Sequence, residues 1–316
     1  MFEIKNITEA GRRFIDEWFD ETPFITAHTS GSTGTPKEIH LPKEDMRTSA
    51  ISTIRRFNLN AESRLFSPLS ANYIAGKMMI VRAIIADCEL TMEEPSNNPF
   101  QGQTNEFALM PVVPSQCAAL FSNHSAQQLV KNIIVGGAPM TKEQEEQLMK
   151  MPWKTFATYG MTETCSHVAL REAGNETYEA MPGITFSRDS RNCLTIHAPA
   201  YSFKQLQTND VVNLITPTQF KWLGRADNVI NSGGIKLFPE QIEKMLERKM
   251  PTPFFIRGAK SDKWGECVEI VVEGNTNLQP TITTICEAEL PRYARPKQYQ
   301  FVAELPRTPN GKLKRN

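Results

Sequence analysis

The sequence predicts an α/β protein built from a large N-terminal unit of layered α/β sheets with a small β subdomain, followed by a small α+β unit. Three observations predict it. From Phe24 to Thr158, short runs rich in β-branched and aromatic residues alternate with segments of helical period. From Gly183 to about Trp222 that alternation gives way to short strands and turns, as in a small β-barrel or sheet. After Gly224-Arg225-Ala226-Asp227-Asn228, which reads as a hinge or linker, a charged α+β segment of about 90 residues remains, above the practical lower size for a domain. The expected units are 1–226 and 227–316.

Taken in order, residues 4–20 carry Ile4, Ile7, Phe14, Ile15, Trp18 and Phe19 at spacings that suit one short amphipathic helix. Phe24-Ile25-Thr26-Ala27 reads as a strand and Ile39-His40-Leu41 as its returning partner, a hairpin whose turn is the polar segment between them. A helix over 43–57 places Met46, Ala50, Ile51 and Ile54 on one side. Leu65 to Leu69 is a strand, and a helix from Lys77 is apolar nearly all round, which suits a buried core helix. Lys77 and Arg82 are cations among its apolar neighbours; each either snorkels to solvent or faces a pocket. Strands are expected at 89–92, 107–113, 131–135 and 155–157, and helices at 115–121 and from the cap Thr141 to Met151. Beyond the linker come a Gly233-Gly234 turn, a helix over 239–249, strands near 253–257 and 267–273, and a helix over 280–290.

Composition narrows the function. Lys+Arg and Asp+Glu both number 35, so no global field favours nucleic acid or an anionic membrane, and any anion site must be local. No apolar run of the roughly 20 residues needed to span a bilayer occurs, so membrane insertion is not expected. Cys88, Cys117, Cys165, Cys193, Cys267 and Cys286 are scattered without a C-x-x-C pair, which fits a reducing cytosol rather than a zinc site or a disulfide framework. The expected location is cytoplasmic; the oligomeric state, a homodimer included, stays open.

The chemistry gathers at four places. Thr29-Ser30-Gly31-Ser32-Thr33-Gly34-Thr35-Pro36-Lys37 packs glycines, hydroxyls and a lysine into one turn, either a polar surface loop or a nest of N–H groups suited to a polyphosphate. Pro36 before Lys37 and Glu38 after it exclude the common phosphate loop, which runs straight into a helix. Thr158-Tyr159-Gly160-Met161-Thr162-Glu163-Thr164 ends a strand in an aromatic face, a glycine and a carboxylate, able to stack on a base and hold Mg²⁺, or else simply to cap a helix. Asp210 could accept two ribose hydroxyls and Arg225 donate to ribose or phosphate, or the two could form an exposed ion pair. The tail around Gly311-Lys312 is either a solvated end or a mobile cation. Gly136, Gly137 and Ala138 follow a strand end, where an α/β sheet binds its ligands.

These segments, with Ser232 to Glu243 after the linker, occur in the order found in the adenylate-forming superfamily of acyl-CoA ligases, luciferases and peptide-synthetase adenylation domains, which this chain resembles over residues 29–312. The resemblance implies that Thr29, Ser30, Gly31, Ser32, Thr33, Gly34 and Lys37 hold the phosphates of ATP. It places the nucleotide on Gly136, Gly137, Ala138, Thr158, Tyr159, Gly160, Met161, Asp210 and Arg225, with Thr162 at the α-phosphate and Glu163 on Mg²⁺. Lys312 becomes the catalytic cation that bridges the acid's carboxylate and the α-phosphate. Asp227 becomes the hinge about which a mobile C-terminal unit rotates, and Gly233 and Gly234 line the coenzyme A channel. Asn209 stands where the family usually has glycine, and a left-handed turn there is one asparagine tolerates. Members of the superfamily carry a longer segment ahead of the phosphate loop than the 28 residues here, so a shortened large domain is expected.

Ser67-Pro68-Leu69 and Tyr73-Ile74-Ala75-Gly76-Lys77 resemble the acyl-pocket segment of the o-succinylbenzoate–CoA ligases of menaquinone biosynthesis. That acid has two carboxylates, so the resemblance singles out Tyr73, Lys77, Arg82 and His167 as candidate acid-binding residues. The expected function is an AMP-forming acid–CoA ligase using ATP, Mg²⁺ and coenzyme A. The alternatives are a ligase for another acyl or aryl acid, and a non-catalytic nucleotide-binding homologue.

Overall fold

The computed structural model describes residues 2–28, 38–307 and 315. The chain starts with β1 (Glu3–Lys5), and Thr8 then caps α1 (Glu9–Phe19), accepting from Gly11 N at 3.1 Å. The single helix expected over 4–20 is therefore a strand, a turn and a helix, because Asn6 takes a left-handed φ of 51° that breaks the backbone between them. Strands β2 (Phe24–His28) and β3 (Glu38–Pro42) pair antiparallel with Phe24 opposite Pro42, the expected hairpin. Its turn, the expected phosphate loop at 29–37, lies outside the described residues.

Helix α2 (Lys43–Phe57) has the expected bounds, and β4 (Arg64–Ser67) follows. Helix α3 (Ile74–Ala86) begins ahead of the expected Lys77, because Gly76 lies in its first turn rather than in the loop. A Cβ there would stand 2.2 Å from Ser70 O, so only glycine lets the helix start against the preceding turn. Met78, Met79, Ile80, Val81 and Ala83 are all fully buried, as expected of a core helix, and each larger one contributes about 1.5–3 kcal/mol of burial. With β5 (Glu89–Met92), strands β1 and β4 complete a three-stranded parallel sheet in the order β1-β5-β4.

The alternation continues with β6 (Met110–Val112), α4 (Pro114–Phe121), α5 (His124–Leu129), β7 (Asn132–Val135), α6 (Lys142–Leu148) and β8 (Lys154–Gly160). The strand expected over 107–113 is shorter, since only its last part pairs continuously with β7. Helix α5 was not foreseen: it is six residues, four of them polar, capped by Asn123 Oδ1 accepting from Ala126 N at 2.9 Å and pinned by the buried Ala126. Thr141 caps α6 as expected, but the helix ends at Leu148 rather than Met151.

Strands β9 (His167–Glu172) and β10 (Thr177–Ala180), which were not foreseen, lead into β11 (Thr185–Arg188), β12 (Cys193–Ala198), β13 (Lys204–Thr216) and β14 (Gln219–Arg225), the β-rich region expected from Gly183 to about Trp222. They are a sheet and not a barrel, and they extend the parallel strands into one nine-stranded sheet, β11-β12-β13-β14-β10-β9-β8-β7-β6. The pairings of β6, β7 and β8 are parallel; the change to antiparallel falls between β8 and β9.

After a 3₁₀ turn at Ala226–Asn228 the chain forms β15 (Ile230–Ser232), β16 (Ile235–Leu237), α7 (Pro239–Leu246), β17 (Phe254–Ser261), β18 (Gly265–Glu273), α8 (Gln279–Glu289) and β19 (Gln298–Val302). Strand β19 was not foreseen; it runs parallel to β18 and closes a five-stranded sheet. Ile230, Ile242, Leu246, Ile256, Ile270 and Ile282 pack into a core drawn only from this part of the chain. The six cysteines are free and buried, and no helix among the described residues is long and apolar enough to cross a membrane.

Candidate active site

The carboxyl ends of β6, β7 and β8 meet where the sheet changes from parallel to antiparallel. Thr158 Oγ1 donates to Val135 O at 3.2 Å, and a Cβ on Gly136 would stand 2.7 Å from that same Oγ1, so the ends of β7 and β8 are drawn together. This sets Gly136, Gly137 and Ala138 beside Thr158, Tyr159 and Gly160. At Gly160 a Cβ would lie 2.3 Å from Ser166 O, so the chain can double back into β9 only with glycine there.

The segment between β8 and β9 is no helix start, as one reading of the sequence had it, but a single 3₁₀ turn, Thr162–Thr164. Thr164 Oγ1 accepts from Met161 N at 3.0 Å and donates to Ser166 O at 2.7 Å, which ties the turn across its base. Thr162 is half-buried and Glu163 exposed, and neither side chain has a hydrogen bond or ion pair among the described residues. Among those residues no group of three or more His, Cys, Asp or Glu could hold a metal ion. Glu163 alone is an open carboxylate of the kind Mg²⁺ takes together with phosphate oxygens.

Asp210 is buried, not the exposed ion-pair partner that was the plainer alternative. Tyr159 Oη donates to its Oδ2 at 2.8 Å and Trp222 Nε1 to its Oδ1 at 3.1 Å. Burial, with the Asp210 carboxylate second, pushes the Tyr159 hydroxyl well above its ordinary range, so it stays a donor. The Tyr159 ring stands edge-on to Tyr178 and Phe220, with centroids 5.8 and 5.1 Å away. Arg225, opposite Asp210 in register, lies 3.8 Å from its Oδ1 but pairs more closely with Asp227, at 2.9 Å. Asn209 also reaches Asp227, at 3.3 Å, and it lies in β13 with no positive φ, so the left-handed turn envisaged for it is not used.

Ser166, two residues past the 162–164 turn, is reached by a side chain of α3. Tyr73, at its N-terminus, is 60% exposed. Lys77 is buried, with Nζ 2.9 Å from Glu17 Oε2 and 4.5 Å above the Phe14 ring. Arg82 is 1% exposed and does not snorkel. Its Nη2 donates to Ser166 Oγ at 2.8 Å, its Nη1 lies 3.4 Å from Met79 Sδ, and its Nε has no partner among the described residues. Burial lowers its pKa to about 10, so it remains a cation at neutral pH. His167, 3.2 Å from Thr53 Oγ1, is pushed well below its ordinary value by burial and then by Arg82, and is neutral.

Gly233 and Gly234 form the exposed turn of the β15–β16 hairpin, and Asp227 lies in the 3₁₀ turn ahead of it. Helix α7 faces the large sheet: Lys244 Nζ is 3.1 Å from Glu176 Oε1, and Gln241 Nε2 donates to Leu223 O at 2.9 Å. Lys312 lies outside the described residues. Arg315 donates to both oxygens of Glu243 and to Ile256 O.

Trp222, Ser166 and Thr53 were missed by sequence reasoning. Trp222 sits opposite Val212, two residues from Asp210 and so on the same face of the sheet. That neighbourhood is legible only once the pairing of β13 with β14 is known.

Two family models match: the AMP-binding enzyme model over residues 13–188, and the AMP-binding enzyme C-terminal domain over 255–312. The 2-succinylbenzoate--CoA ligase of Listeria monocytogenes is 26% identical, over 96% of this chain and 71% of that protein. A crystal structure of an acyl-CoA synthetase (AMP-forming)/AMP-acid ligase II-like protein from Dyadobacter fermentans is 32% identical, with 96% of this chain and 91% of that one covered and a TM-score of 0.65. The O-succinylbenzoate coenzyme A synthetase of Bacillus subtilis, solved with ATP and magnesium ion, superposes at a TM-score of 0.80 over 92% of this chain and 68% of that one. At 20% identity that last likeness speaks to the fold alone.

Proposed function

The chain belongs to the AMP-binding enzyme family, and from that premise we propose that it is an ATP-dependent, AMP-forming acid–CoA ligase whose acid is o-succinylbenzoate. A carboxylate is a poor acyl donor because its leaving group would be oxide. One carboxylate oxygen attacks the α-phosphorus of ATP, the bond to the bridging oxygen breaks, and pyrophosphate leaves with its electron pair. The coenzyme A thiol then gives up its proton and attacks the acyl carbon, and AMP departs. The protein's part is to position reactants and offset charge.

Asp210, held at both oxygens by Tyr159 and Trp222, keeps a lone pair on each for the two ribose hydroxyls. The base lies along the end of β8 beside Tyr159, and the turn at Thr162 receives the α-phosphate. Glu163 and the triphosphate oxygens would hold Mg²⁺, which neutralises charge on the nucleotide. Ser32, Thr33 and Lys37 take the outer phosphates, and Lys312 offsets charge at the α-phosphate. The C-terminal unit from Asp227 onward turns to bring Gly233 and Gly234 to the thiol. The setting is cytoplasmic, where all these co-substrates are found.

One observation supports this acid over others: the Arg82 guanidinium is buried beside the 162–164 turn and has no carboxylate partner among the described residues. An uncompensated buried charge costs about 3–5 kcal/mol, a cost that a ligand carboxylate would offset. Of the three candidate cations, Lys77 is already neutralised by Glu17 and His167 is uncharged. A pyrophosphate-release assay over a panel of acids tests the reading. O-succinylbenzoate is expected to turn over, and Lys312→Ala to slow its adenylation by about 10²–10³-fold. Turnover of a monocarboxylic acid in its place would remove the assignment, and no turnover with any acid would favour a binding protein.

A further inference from the structure

Resting on the reading of Arg82 as the acid-binding cation, the polar contacts behind it carry a second conclusion. A guanidinium only donates. Ser166 Oγ therefore accepts from Arg82 Nη2, at 2.8 Å, and has its own hydrogen to give. His167 Nδ1 lies 3.3 Å from that oxygen, and its Nε2 3.2 Å from Thr53 Oγ1. With the imidazole hydrogen on Nε2, Ser166 donates to Nδ1 and Nε2 donates to Thr53. Thr53 passes its hydrogen to Ser49 O one helical turn back, at 3.2 Å, and a carbonyl only accepts.

In that tautomer every donor of the row has an acceptor, ending on the Ser49 carbonyl. Arg82, His167 and Thr53 are 1%, 6% and 0% exposed and Ser166 is half-buried. A second proton on His167 would turn Nδ1 into a donor facing Ser166 and add a charge beside Arg82. The sequence reading offered His167 as a ligand of the acid; the geometry gives it different work. We propose that Thr53, His167 and Ser166 form a hydrogen-bond relay that orients the Arg82 guanidinium toward the second carboxylate of the acid. They are positioning residues, and selectivity between dicarboxylic and monocarboxylic acids depends on them.

Steady-state kinetics with o-succinylbenzoate, and with 4-oxo-4-phenylbutanoate, which lacks the ring carboxylate, test this. Thr53→Val keeps the shape and removes the hydroxyl. It is expected to raise KM for o-succinylbenzoate about fivefold, the scale of one neutral hydrogen bond, with kcat and the KM for the monocarboxylate little changed. Thr53→Ser, which keeps the hydroxyl, restores selectivity, and Ser166→Ala repeats the Thr53→Val effect. If Thr53→Val leaves KM for o-succinylbenzoate unchanged, or raises it equally for both acids, the relay is overturned. Arg82→Lys separates the two levels. A raised o-succinylbenzoate KM in that variant with none in Thr53→Val removes the relay alone, whereas no change in either removes the acid site as well.

Discussion

Helix α3 carries two buried cations, and they differ in one respect. Lys77 is paired within the fold: Glu17 supplies a carboxylate at 2.9 Å and Phe14 a ring face. Arg82 has a serine hydroxyl and a thioether sulfur for neighbours and an unpaired Nε. The first half of the helix is committed to structure, and the second bears a charge that no carboxylate among the described residues compensates. A fold tolerates such a charge when something outside the chain completes it.

The largest expected effect tests the structural half. Gly76→Ala would place a Cβ 2.2 Å from Ser70 O, against backbone that cannot swing aside, and is expected to cost about 3 kcal/mol by denaturant unfolding. A variant as stable as the parent would show that the start of α3 is not fixed by this contact. Next comes the contrast between the cations themselves. Lys77→Ala leaves Glu17 without its partner and is expected to destabilise by about 2 kcal/mol, without altering selectivity between acids. Arg82→Met removes a buried charge, so its melting temperature is expected to match or exceed the parent's while selectivity is lost. Equal destabilisation by both substitutions would erase the distinction.

The smallest effect is in pH. The folded state holds His167 well below its ordinary value of 6.5, so between the two values the unfolded chain binds the extra proton. The corresponding stability is complete above about pH 6.5 and is lost as pH falls below it, by at most about 1.4 kcal/mol per pH unit. The ring faces Thr53 and Ser166, and Arg82 is the charge that acts on it. Chemical denaturation of the parent and of His167→Gln between pH 5 and 8 measures the difference (roughly the window of histidine titration). A slope that survives the substitution would assign it to other groups.

Much of this was legible beforehand where local chemistry decides. The hairpin of β2 and β3, the bounds of α2, the Thr141 cap and the Gly233-Gly234 turn all follow from period, capping and turn residues. The errors fell where a distant contact overrules local preference. Gly76 read as a loop residue because glycine is a poor helix former, yet it opens α3 through its approach to Ser70. Strand β19 needed β18 as a template, and β1 needed β5.

The sequence by itself determined the family and named the groups proposed to meet the nucleotide, because glycines, hydroxyls and carboxylates in a fixed order carry that chemistry wherever they are brought together. It also named Lys77, Arg82 and His167, and could not choose between Lys77 and Arg82 for the pocket. Only the tertiary structure could rank them. A side chain's charge and its freedom to bind depend on burial and on partners as remote along the chain as Glu17 from Lys77 and Ser166 from Arg82, and no local pattern encodes those distances.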